Sequence, residues 1–205
     1  MSTERLAATK GTLQKAREQL GFIEKGKEVL TMKRDQLAGE LNKLVGQLGR
    51  RRLVERQIAE AFAAVKYAYS VLGYDAFGSA AKAADLIEVR ALPVSTVGVI
   101  MPDVKITKKP EAEQVPLAGT MKVSSKLSGA LEEAIELGVL EAKVERLATE
   151  LMNTNRKVNA LEKVVIPRYK TTIRYIEEKL NEEALQEFFV TKKMRDISRA
   201  TTKRS

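Results

Sequence analysis

A mostly helical protein is the fold that this sequence predicts: a long antiparallel two-helix coiled coil with a short β-hairpin and loop as its middle segment. Three observations carry the prediction. Leu, Ala, Glu, Lys and Arg dominate a chain of 205 residues that is 44% hydrophobic, 31% charged and only 5% aromatic, the composition of long helices rather than of a thick globular core. Pro93, Pro102, Pro110 and Pro116 crowd into one window, leaving only Pro167 elsewhere, and proline interrupts helices. On both sides of that window apolar residues recur at alternating steps of 4 and 3, the spacing of a coiled-coil seam.

The first helix is expected from about Thr3 to Gly73. Leu13, Ala16, Leu20 and Ile23, then Leu30, Leu37, Leu41, Leu44 and Leu48, form its stripe, with Lys27 and Arg34 filling two seam positions. Seam cations either snorkel or pair with carboxylates of the opposite helix, or they specify register at some cost in stability. After Gly49 and Arg50-Arg51-Arg52 the stripe is read as resuming at Ile58, Phe62, Val65, Tyr69 and Leu72. The middle segment has two runs rich in Val and Ile, Leu86 to Leu92 and Val94 to Met101, which predict a β-hairpin between about Leu86 and Met101. Lys105 to Gln114 is polar and reads as a loop.

The second helix is expected from about Leu127 to Asp196. Its stripe is Leu140, Val144, Leu147, Leu151, Thr154, Val158, Leu161 and Val165, followed by Tyr169, Ile173, Ile176 and Leu180. Steps of 4 follow one another from Leu161 through Val165 and Tyr169 to Ile173. Such steps relax a left-handed supercoil, and Pro167 should kink the helix there or remove one ladder bond. The chain is therefore read as one elongated domain over 1–205. A long helix spans 3–75, a middle segment with a short helix and the hairpin 76–126, a second long helix 127–198, and a basic tail 199–205. Each helical stretch of about 70 residues would be about 105 Å long at 1.5 Å per residue.

Composition also excludes chemistry. There is no Cys and no His, so disulfides, Cys/His zinc sites and Ser-His-Asp or Cys-His mechanisms are impossible. No apolar stretch is long enough to span a bilayer, since Pro93 to Pro102 is about half the required length, so a cytoplasmic chain is expected. The net charge of +9 suits nucleic acid, an anionic lipid surface or an acidic protein.

Gly21 to Lys27 nearly matches a phosphate-binding loop, but Glu28 stands where a Mg²⁺-holding hydroxyl is needed and no strand precedes it. It reads as part of the coiled coil. Gly46-Gln47-Leu48-Gly49 has the form of a backbone clamp without its βα context, and reads as a weak point in a helix. Glu132, Glu133, Glu136, Glu141 and Glu145 alternate with Lys143 and Arg146 and read as a solvated face. Phe188-Phe189-Val190 is an apolar cluster past the main stripe, suited to capping the helix pair or to anchoring in a partner.

Two blocks carry a family resemblance. One is Gly26-Lys27-Glu28-Val29-Leu30-Thr31-Met32-Lys33-Arg34-Asp35-Gln36-Leu37. The other is Thr154-Asn155-Arg156-Lys157-Val158-Asn159-Ala160-Leu161-Glu162, followed by Val165-Ile166-Pro167-Arg168, Tyr175-Ile176-Glu177-Glu178 and Glu187-Phe188-Phe189. With their order and the proline-rich segment between them, they resemble the D subunit of the V-type and archaeal A-type ATPases (ATP synthases), the central rotor shaft.

The resemblance implies a non-catalytic component with no cofactor, no metal site, no nucleic-acid partner and no direct membrane insertion. It implies a cytoplasmic location, peripheral to the membrane. The helix ends would enter a catalytic head of A and B subunits, so Lys10, Lys15, Arg17, Phe188, Phe189, Lys192, Lys193 and Arg195 are expected to meet the head. The small F subunit and the ring-side C/d subunit would bind lower, where Arg50, Arg51, Arg52, Ile87, Val97 and Val99 are the candidates. Lys27, Arg34 and Pro167 are read as setting seam register. Two other classes share part of the pattern: a prefoldin-like coiled-coil chaperone, and a rod-like nucleic-acid-binding protein.

Overall fold

The computed structural model describes residues 8–83, 86–109 and 120–202. In chain order they form α1 (Lys10–Gln47), a 3₁₀ turn (Leu48–Arg50), α2 (Arg51–Ala83), β1 (Glu88–Thr96), β2 (Val99–Lys108), α3 (Thr120–Ala160), a π turn (Leu161–Val165) and α4 (Ile166–Thr202). They divide into two compact units, one from 1–32 and 154–205, the other Lys33–Asn153.

In the first unit, α1 starts later than Thr3. Thr9 caps it: the Thr12 amide donates to Thr9 Oγ1 (3.2 Å), and the Thr9 amide donates to Thr12 Oγ1 (3.0 Å). This reciprocal arrangement satisfies amides that a helix N-terminus otherwise leaves bare. The Gly21–Glu28 stretch lies inside α1 as plain helix. Ala16 is buried on α1, and Thr154, Val158, Ile166, Ile173 and Ile176 form a buried stripe on α3 and α4. Polar cross-links give the direction: Arg17 to Glu177 (2.6 Å), Lys170 to Glu24 (3.3 Å) and Lys27 to Glu162 (3.4 Å). Partner numbers fall as α1 numbers rise, so the helices are antiparallel.

The consecutive steps of 4 have a discrete structural cause. One heptad on from Val158 the stripe would bury Val165, yet Ile166 is the buried residue, followed by Ile173 and Ile176. One extra residue has been absorbed, and the π turn at Leu161–Val165 absorbs it, with the Ile166 amide donating to the Leu161 carbonyl. Pro167 sits directly beyond. A proline ring clashes with the carbonyl four residues back and supplies no N–H, and the wider π turn relieves that conflict without ending the helix.

In the second unit the core is small. Leu37, Leu147, Val99 and Met101 form its centre, with Leu41, Leu44, Leu151 and Val97 packed around them. Beyond the 3₁₀ turn the seam of α2 differs from expectation. Val54, Ala61 and Ala68 are buried, whereas Phe62 and Tyr69 point outward. The 3₁₀ turn, with about 3 residues per turn instead of 3.6, shifts the phase so that the small residues face in. The Gly46–Gly49 weak point therefore lies where the regular helix is interrupted. α2 also runs past Gly73, which bends the chain with φ 74° and ψ 173°. α3 begins at Thr120, earlier than the expected Leu127.

The hairpin is longer than expected. β1 and β2 pair antiparallel from Thr96↔Val99 outward to Glu88↔Lys108, so Lys105 to Lys108 is strand rather than loop; 110–114 lie outside the described residues. The turn is Val97-Gly98, both with positive φ (52° and 74°), as a two-residue type I′ loop requires. Pro93 does not break the strand, because it faces Pro102. Pairs alternate between hydrogen-bonded and open from the hydrogen-bonded closing pair, and the third step outward is an open one that asks no N–H of either proline. Val97 is β-branched in a left-handed conformation, an unfavourable choice. Its packing against the Leu37–Leu147 cluster offsets that strain.

Leu147 is fully buried, so Leu147→Ala is expected to lower unfolding free energy by about 2–5 kcal/mol in urea titrations followed by circular dichroism. Deleting Lys163 should remove the π turn while keeping seam phase, but it drives Pro167 into a regular helix at a cost of about 3 kcal/mol. Adding Pro167→Ala to the deletion should recover most of that loss, and no recovery would contradict this account of the π turn.

Candidate partner-binding surfaces

Catalytic chemistry needs convergent groups in an enclosed site. Two concave regions among the described residues are open surface grooves, one lined by Phe189, Lys192, Lys193, Asp196 and Ile197, another by Lys15, Gln19, Phe22 and Tyr169. The informative features are surfaces, and three groups of expected residues can be placed on them.

The first group lies on the ends of α1 and α4. Lys10 and Lys15 are exposed, while Arg17 is also exposed but pairs with Glu177 at 2.6 Å. On α4 every residue from 181 to 197 is exposed, including Phe188, Phe189, Lys192, Lys193 and Arg195. The two phenyl rings contact each other edge to face, centroids 6.2 Å apart, and each stays more than 60% exposed. They do not cap the helix pair. Leu185, Met194 and Ile197 are likewise exposed, so this helix end presents apolar side chains among cations.

The second group lies in the Lys33–Asn153 unit. Arg51 is committed to its own chain, bonding Glu55 at 3.0 Å and Glu141 at 3.2 Å. Arg50 and Arg52 are exposed and Ile87 is half-buried. Val99 is buried, and Val97 packs on the same core. Their alternation in the hairpin turns both toward the helices, which removes Val99 from any open surface. The sequence signal was ambiguous because alternation in a strand does not say which face is covered.

The third group concerns register. Lys27 reaches Glu162 of the opposite helix, the pairing expected of a seam cation. Arg34 instead bonds Asp35, its neighbour, through Nε (2.9 Å) and Nη2 (2.8 Å). Lys33 makes the cross-helix pair there, to Glu150 at 2.7 Å. Pro167 borders the π turn described above.

The glutamates of α3 are more than a solvated face. Glu132 binds Lys109 (2.7 Å), Glu133 accepts from Gln57 Nε2 (3.3 Å) and Glu141 binds Arg51. The hairpin is tied down in the same way: Lys143 bonds Asp103 at 2.7 Å. Contacts at Lys109–Glu132, Lys143–Asp103 and Met101–Leu147 lay β2 lengthwise along α3. Linear spacing could not reveal these pairs, because each joins residues far apart in sequence. Among the described residues, no helix is long and apolar enough to cross a membrane.

Comparison with known proteins places the whole chain. The family of ATP synthase D subunits matches residues 12–196. The D subunit of the A-type ATP synthase of Pyrococcus furiosus is 31% identical over 201 residues, covering 94% of each chain. That of Pyrococcus abyssi is 30% identical over 205 residues, covering 96% of each. The D subunit of the V-type ATP synthase of Thermus thermophilus is 29% identical over 195 residues, covering 93% of this chain and 87% of the relative.

The hairpin seat is testable through pH. The hydrogen bond from Lys143, then its charge, holds the Asp103 carboxyl below the ordinary aspartate range; partial desolvation opposes this and Lys105 adds to it. A depressed folded-state value contributes stability above the unfolded value and loses it as pH falls through the folded one. Amide-exchange protection of Val99 to Met101 is expected to hold at neutral pH and to decline below about pH 4. In Asp103→Asn that decline should vanish.

Proposed function

The chain belongs to the family of ATP synthase D subunits, and on that premise we propose that it is the non-catalytic central rotor shaft of an A/V-type ATPase. It carries torque between ATP hydrolysis or synthesis in a head of A and B subunits and ion translocation by a membrane rotor ring, from a peripheral cytoplasmic position. The observation that carries this reading is the end of α4. Helices of soluble proteins seldom leave Leu, Phe, Phe, Val, Met and Ile in water over consecutive turns, and such a patch marks a partner. Here the patch is threaded with Lys192, Lys193 and Arg195, all exposed.

Mechanically, a shaft must not shear along its own seam. Covalent helices carry the load, and interhelical pairs such as Arg17–Glu177 and Lys27–Glu162 oppose sliding of one helix past the other. Each exposed pair is worth well under about 1 kcal/mol, so resistance comes from their repetition along the apolar seam. A shaft must also turn inside its bearing. Cations attract acidic loops over a distance and tolerate a changing register better than interlocked side chains do. The small F subunit and the ring-side C/d subunit are the remaining partners in this reading, with exposed Arg50 and Arg52 as candidates for the first. Neither the chaperone reading nor the nucleic-acid reading is favoured by the family assignment.

The test is co-purification. A tag placed between residues 110 and 119 should bring down the A and B subunits and a small F-like protein from detergent-solubilised membranes, with ATPase activity in the eluate. Phe188→Ala with Phe189→Ala should weaken association with the head by about 30-fold or more and uncouple ion pumping from hydrolysis, with the helical circular dichroism unchanged. A tagged chain that returns only itself or nucleic acid would refute the reading.

A further inference from the structure

The hairpin is a sheet of two strands, so among the described residues each strand keeps one edge with no strand beside it. The β1 edge is the barer of the two. β2 turns Val99 and Met101 onto the helices, whereas every residue of β1 from Glu88 to Ser95 is exposed. A strand so placed offers a row of bare N–H and C=O groups to any other strand. β1 is also long, at 9 residues, where about 5–6 are usual. Its side chains add to the hazard: Val89, Leu92 and Val94 are each more than 40% exposed. Charges commonly blunt such edges, yet no charged residue stands between Arg90 and Asp103.

The register decides which backbone groups face outward. Thr96↔Val99 closes the two-residue turn as a hydrogen-bonded pair, and open pairs alternate with bonded ones from there. Ser95↔Ile100, Pro93↔Pro102, Ala91↔Val104 and Val89↔Ile106 are the open pairs. Residues of open pairs aim their N–H and C=O away from the partner strand. Outward on β1 therefore stand Val89, Ala91, Pro93 and Ser95, and Pro93 has no N–H. A ring methylene occupies the place where a donor would meet an incoming carbonyl. Pro102 does the same on the outer edge of β2, on the same rung.

Neither proline makes the turn, which belongs to Val97-Gly98, and neither ends its strand. Proline is scarce inside strands because it weakens the ladder. One residue earlier or later, each would sit on a bonded rung and cost the hairpin a bond of its own. On the open rung it leaves the hairpin's ladder whole and deprives the outer edge of a central donor.

We propose that the Pro93–Pro102 rung is a guard against strand addition, and that the partner it excludes is a second copy of this chain pairing edge to edge through β1. Two β1 strands related by a two-fold axis offer each other the same outward row, so the edge is complementary to itself. With the axis at Leu92, Ala91 of each copy faces Pro93 of the other. Both central rungs then lose a hydrogen bond and gain a ring in its place. The guard keeps the hairpin two-stranded although its β1 edge is bare. This inference does not depend on the rotor-shaft reading.

The test compares the full-length chain with Pro93→Val, which restores the N–H and adds a β-branched side chain, by sedimentation velocity and hydrogen exchange. The wild type is expected to stay monomeric. Pro93→Val should self-associate about 10-fold more tightly or better, with new amide protection at Val89, Ala91 and Ser95 and unchanged helical circular dichroism. Adding Ala91→Lys to Pro93→Val should return it to monomer, because a charge on the edge resists pairing. A Pro93→Val chain as monomeric as the wild type overturns the guard. So does association that leaves those three amides unprotected, or a wild type that already dimerises through β1. A Pro93→Val chain that loses its helical signal would make the proline a requirement of folding, and the guard falls with that result as well.

Discussion

Each of the two units hangs on a narrow antiparallel seam between helices, and among the described residues no thick core stands behind it. In the Lys33–Asn153 unit the central cluster of buried residues is Leu37, Val99, Met101 and Leu147; in the other unit it is a line of Ile, Val, Thr and Ala side chains. A two-helix seam buries one stripe of each helix and leaves the rest in water. Stability must therefore come from keeping the stripe in phase over many turns, and a single-residue slip would rotate the apolar face by about 100°. The local irregularities of the chain are answers to that constraint.

Two of them correct phase in opposite ways. The 3₁₀ turn at Leu48–Arg50 tightens the helix, after which alanines rather than aromatics face inward. The π turn at Leu161–Val165 loosens it, takes up one extra residue, and makes room for Pro167. Neither ends the helix in which it sits. A break would expose amides and carbonyls that need partners, while a locally altered turn keeps most of them bonded. Among the described helical residues only Gly73 departs fully from helical geometry, and there the aromatic contact of Tyr69 with Phe77 holds the two pieces together.

A thin seam also frees large side chains for other uses. Because alanines fill the inner positions of α2, its rings are left outside; because α4 continues with exposed side chains through 197, Phe188 and Phe189 stay in solvent. The hairpin does the reverse, turning Val97, Val99 and Met101 onto the helices and fastening itself with Asp103–Lys143. The polar pairs are each weak, but they are spaced along both units and join elements that the apolar stripe alone would leave free to slide.

Much of this was written in the linear pattern. Helix, proline-rich middle, helix could be read from composition and the 4-3 spacing, because periodicity reports local geometry directly. The anomaly around Pro167 was visible as consecutive steps of 4, and the family resemblance lay in contiguous blocks. Other features depended on contacts that spacing does not encode. Phe62 and Tyr69 satisfy a heptad as well as Ala61 and Ala68 do, and only the phase shift of a 3₁₀ turn and the packing of the opposite helix choose between them. The strand carried through Pro93 because Pro102 happens to stand opposite, a fact of register. Val99 looked as available as Ile100 until the helices covered one face of the hairpin. Sequence by itself determined where the chain is helical and roughly how its faces divide. Tertiary structure decided which face is inside, since burial is a property of what lies across the seam.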